Sequence, residues 1–237
     1  MSESENTAQR VLAQLDRVTR LRLAAQTDPK TASARRHLRA WQAQRLARTH
    51  AKLLTNPRFA EAATFFLTDI YGANDPTARD AEIRKVLPTT VKLLPAVGLE
   101  TVADAIELDA LSEDLDAAMV TALGKRTSGI DAASYGRAYR KVGRRPDRER
   151  QIDLIEHLGQ SLDRLARRPF VTTTLAMMRK PAQLTGLSEL QSFLERGYAA
   201  FHKMGGADEF LGLVVERERN LLEALFAGDD SPLAAPK

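Results

Sequence analysis

Glu218 has the residue type and the setting from which perturbed acid–base chemistry arises. Between residues 207 and 227, Leu211, Val214, Val215, Leu221, Leu222 and Leu225 recur at helical spacing, and Glu218 falls near the centre of their apolar arc. Desolvation there would raise its pKa, and a paired arginine would lower it. Such a carboxylate is either an internal ion pair or the mark of a ligand or subunit interface. A second polar group borders the most apolar stretch of the chain. Asp69 sits beside the stripe of residues 57–72, where a carboxylate needs a cation or a helix N-terminus. Arg79, across a short turn, is the nearest cation in sequence. Tyr71, Asp80 and Glu82 complete this cluster, and paired carboxylates such as Asp80 and Glu82 can do acid–base work on any fold. A structural pair or cap is the favoured use of them all.

Cations supply the next candidates. Arg45, Arg48 and Lys52 share a helical face with Trp41 through offsets of three and four. A basic face with an aromatic suits phosphate backbones, so nucleic-acid binding is an alternative function. His37, His50, His157 and His202 occupy positions expected at the surface, and none belongs to an HExxH or Glu-x-x-His pair. GKRTSG is no phosphate loop, because no glycine stands five residues before Gly124 and no strand precedes it. Neither a GxSxG elbow nor a Rossmann glycine pattern occurs. No metal or cofactor is expected from these residues.

The elements that must position them read as helices throughout. Asn56 is a good N-cap and Pro57 suits a first helical position. Phe59, Ala62, Ala63, Phe66 and Ile70 then form one stripe, widened by Leu67 and flanked by Phe65 and Tyr71, so this stretch should be the core helix. Gly72 offers a stop. Residues 8–26 and 32–55 form a basic N-terminal helical hairpin, separated by TDPKT. Helices follow over 77–94, kinked at Pro88 and ended by Pro95; over 99–110; from Ser112 to Gly124; over 131–143 and 147–168; up to Lys180 before Pro181; and over 187–204 and 207–227. No strand pattern or internal repeat is present. The expected fold is all-α, a bundle of about nine or ten helices, with the hairpin at 1–55, a core domain at 56–228 and a disordered tail at 229–237.

FFLTDIYG followed by RDAE resembles the signature of the FFLEELY-motif proteins, a bacterial family without an assigned activity. Phe65, Phe66, Leu67 and Tyr71 match it; Thr68 and Asp69 stand where it has two glutamates, and Ile70 replaces a leucine. The likeness extends from about Arg45 to about Gly228. It implies helical character and transfers no chemistry. FHKMGGADEFLG is faintly similar to the proximal-histidine region of bacterial globins, which would make His202 a haem ligand. A globin needs one more long helix after it, so a small-ligand or haem-binding sensor stands as a further alternative.

Composition bounds the rest. The chain has 237 residues, of which 43% are hydrophobic and 28% charged, and no cysteine, which excludes disulfides and thiol catalysis. The first residues lack the basic and apolar regions of a signal peptide, and no apolar run approaches the ~20 residues that span a bilayer, so a cytoplasmic location off the membrane is expected. The net charge of +4 conceals alternating blocks. Residues 10–58 carry 12 Lys/Arg against 2 Asp/Glu, and residues 59–116 carry 4 against 12. Residues 117–181 carry 14 against 6, and residues 182–237 carry 5 against 9. Such alternation predicts segments that attract one another, within one fold or between copies. Together these features favour a non-enzymatic interaction or regulatory module, with a protein partner or a second copy, over an enzyme.

Overall fold

The computed structural model describes residues 3–70, 81–86 and 96–234. Eleven α-helices and no strand occur among them, as the periodicity predicts. In chain order they are α1 (Glu3–Thr27), α2 (Pro29–Thr49), α3 (Ala51–Leu54), α4 (Ala60–Phe65), α5 (81–86), α6 (Ala96–Leu123), α7 (Ala132–Val142), α8 (Arg145–Ala166), α9 (Val171–Thr185), α10 (Ser188–Met204) and α11 (Asp208–Ala227). No helix among the described residues is long and apolar enough to cross a membrane.

One residue, Asp28, separates α1 from α2, and its carboxylate accepts from the backbone of Lys30 and Thr31 to cap the second helix. The pair lies against α6, where Val11 and Leu15 of α1 join Leu99, Ala103 and Ile106 in one apolar cluster. A larger cluster gathers Phe59, Phe65 and Phe66 with Leu111 and Leu115 of α6, Leu154 and Leu158 of α8, Phe201 of α10 and Phe210 of α11. A third joins Leu38 of α2 and Met119 of α6 to Tyr135 and Tyr139 of α7 and Leu225 of α11. The stretch expected to be the core helix does occupy the core. Its last residues, Phe66–Ile70, widen into a π-helical turn, which shifts the phase of the side chains that follow.

Four local expectations are corrected. Ser112 does not restart a helix: its hydroxyl bonds back to the Leu108 carbonyl, and α6 runs through it because no glycine or proline stands between Leu99 and Leu123. Pro181 does not end α9, which continues to Thr185. The carbonyl deprived of its helical donor belongs to Met177, an exposed residue where water can replace the bond. Phe65 is buried rather than on a flank, because Gly197 of α10 leaves room for its ring. The tail expected to be disordered is ordered as far as residue 234: Asp230 pairs with Arg140 at 2.7 Å, and Leu233 is 2% exposed. The expected stops at Gly72, Pro88 and Pro95 lie outside the described residues.

Candidate functional site

The acidic block of α6 and the basic block of α1 and α2 meet face to face. Asp109, Glu113 and Asp116 recur at intervals of four and three and so line one side of α6. Arg35, Arg39 and Gln42 do the same on α2. Glu113, 1% exposed, accepts from Arg22 at 3.0 Å and also from Arg35 and Arg39. Burial pushes its carboxyl up, but the three guanidinium groups outweigh burial and hold it below the usual range. Arg22 also grips Asp109 at 2.7 and 2.8 Å. Asp116 accepts from Gln42 at 3.0 Å and from Arg39 at 3.3 Å, and here burial prevails and raises the carboxyl.

Glu218 projects from α11 toward α2, where Arg45 donates to its two oxygens at 2.6 and 2.8 Å and His50 lies 3.0 Å away through Nε2. Burial pushes this carboxyl up as well; the Arg45 charge and the His50 hydrogen bond reverse the effect and bring it to about 2. His50 is buried, contrary to the surface position expected of it. The nearest charged residues in sequence are Arg48 and Lys52, both cations, and only the return of α11 reveals that it serves a carboxylate.

These groups surround a partly open cavity of about 140 Å³ between α2, α6, α7, α8 and α11. Arg39, Gln42, Arg45, Glu113, Asp116 and Glu218 line it on one side, and Tyr135, Tyr139, Arg148 and Gln151 on the other. Burial pushes the Tyr139 phenol up to about 12, so it stays protonated. Asp69, carried round by the π-turn, reaches the same wall. Among the described residues, Arg196 of α10 donates to Asp69 at 2.9 Å. Arg79, Asp80 and Tyr71 lie outside the described residues. Glu82 serves elsewhere, accepting from the Leu190 backbone N–H at 2.7 Å as a cap on α10.

The proposed nucleic-acid face is divided by the fold. Trp41 stacks on Tyr135 with ring centroids 4.3 Å apart, and Arg45 is spent on Glu218, so both turn inward. Arg48 is half-buried, and Lys52 is exposed. His202 stacks on Tyr198, and its Nδ1 lies 3.2 Å from the Ala166 carbonyl. Chemically, the cavity carboxylates are committed to cations, and His50 is not among the residues lining the cavity. Among the described residues, the wall therefore presents neither a nucleophile–base pair nor a free general base.

A different feature lies on the outside. Phe170, Met177 and Leu184 follow one another at intervals of seven along α9 and are 79%, 71% and 88% exposed. Phe170, just before the helix, takes a left-handed conformation with φ 73°, which is uncommon for a bulky residue. Between residues 164 and 188 the chain carries Arg164, Arg167, Arg168, Arg179 and Lys180 and no acid. The sequence places this helix but gives no sign that its apolar side faces water.

No curated protein and no solved structure matches the chain. Residues 21–232, from the second half of α1 to the turn after α11, match the family described as a domain of unknown function, DUF8198. The match leaves out most of α1 but covers the other helices and the residues that line the cavity, and the chain belongs to that family.

Proposed function

We propose that the protein is a non-enzymatic, cytoplasmic helical module that docks another protein on the outer side of α9. The observation that carries this is the line of three large, solvent-exposed apolar side chains, Phe170, Met177 and Leu184. Exposed apolar clusters of this kind mark interaction surfaces, and methionine adapts well to a partner. Arg167 and Arg179 already pair with Asp163 and Glu195, so the preference for a partner surface with an acidic rim rests on Arg164, Arg168 and Lys180. The interior supports the non-enzymatic part, since its carboxylates already hold cations. We take FFLTDIYG as a bacterial FFLEELY-type signature whose work is architectural: it fills the core and ends on the π-turn that brings Asp69 to Arg196.

The test is site-specific photocrosslinking in the native host. A photoreactive phenylalanine at Met177 should trap one discrete protein, while the same group at exposed Thr121 on α6 should not. Equal trapping from both positions, or trapping of lipid from Met177, would overturn the proposal.

A further inference from the structure

Among the described residues, Arg148 is the one charged side chain of the cavity wall without an opposite charge. It is 6% exposed. Its guanidinium carbon lies 3.6 Å from the centre of the Tyr139 ring, and its Nε donates to the Gly143 carbonyl at 3.2 Å. Its Nη2 is buried and makes no hydrogen bond. Arginine does not lose its proton in proteins, and a buried charge without a counter-ion is costly. The carboxylates across the cavity offer no relief, because Glu113, Asp116 and Glu218 each face cations of their own.

The rest of the wall gives the missing counter-ion a shape. Arg148, Ile152 and Ile155 stand on successive turns of α8 and line the cavity together, joined by Met119 of α6. A cationic end thus continues into an apolar surface. The volume of about 140 Å³ is several times the ~30 Å³ share of one water. It falls below the ~300 Å³ at which pockets for larger ligands begin.

We infer that the cavity binds a short-chain aliphatic monocarboxylate, its carboxylate on Nη2 of Arg148 and its hydrocarbon against Ile152, Ile155 and Met119. A phosphate dianion fits less well, because its second charge would meet the wall's carboxylates and find no second unpaired cation. This site is independent of docking on α9.

The intact protein should be titrated calorimetrically with sodium propionate, octanoate, phosphate and chloride at equal ionic strength. Propionate should give saturable binding, phosphate and chloride should not, and octanoate, whose chain exceeds the cavity, should bind no tighter than propionate. Arg148→Met, which removes the charge and keeps the length, should weaken propionate binding about tenfold or more. A readout that needs no variant is a crystal soaked in 3-bromopropionate, whose bromine should appear beside Ile152. No saturable propionate binding, undiminished binding by Arg148→Met, tighter binding of phosphate, or bromine outside the cavity would each overturn the inference.

Discussion

At the scale of single residues, Glu218 couples the stability of the protein to acid. Burial alone would raise its pKa, yet Arg45 and His50 bring it from the ordinary 4.5 to about 2. On acidification the unfolded chain therefore takes up this proton before the folded one does. The stabilisation is complete above about pH 4.5 and is lost as the pH falls toward 2. At about 1.4 kcal/mol per pKa unit, roughly 3 kcal/mol is at stake. Urea midpoints followed down through this window should fall more steeply for the parent than for Glu218→Gln, and parallel curves would contradict the assignment. Glu218 is legible in the sequence because a charge interrupts an apolar arc. Arg148 is not, since nothing in linear order separates it from the other 13 cations of residues 117–181 (14 less itself). The partner of Asp69 is equally hidden, because Arg196 lies 127 positions away and only tertiary packing joins them.

At the scale of helices, close crossings rest on glycine. Gly159 of α8 faces Leu211 of α11, and a methyl group in its place would fall inside contact distance of the leucine side chain. Leu211 is buried and has little room to retreat. Gly159→Ala should therefore cost about 1–3 kcal/mol in chemical denaturation, the usual range for overpacking. Gly212→Ala, at an exposed position of α11 where the added methyl meets nothing within 4 Å, should instead gain about 0.5–1 kcal/mol. Equal effects from the two would contradict this crossing. Helix faces are readable in advance because burial imposes a period of 3.6 residues. Helix ends are less so. Ser112 can cap a helix or bond within one, and Pro181 ends a helix only where the carbonyl it deprives has no water to turn to.

For the whole molecule, the alternating charge blocks announce its assembly. The basic block at 10–58 closes on the acidic residues of α6 through Arg17–Asp114, Arg22–Glu113 and Arg39–Asp116. The basic block at 117–181 meets its acidic successor through Arg140–Asp230 and Arg179–Glu195. Net charge by segment carries this information because opposite charges taken from water need one another. The exposure of α9 has no such signal, since an apolar stripe reads the same whether a neighbouring helix or a partner protein covers it. The molecule divides into an ion-paired interior and an apolar outer side of α9. The most direct test of that division is the affinity of the protein trapped at Met177 for the double variant Met177→Glu, Leu184→Glu. Both positions are exposed, so folding stability should remain within about 0.5 kcal/mol of the parent. Partner binding should weaken by about tenfold or more. Undiminished binding by a variant as stable as the parent would contradict the account.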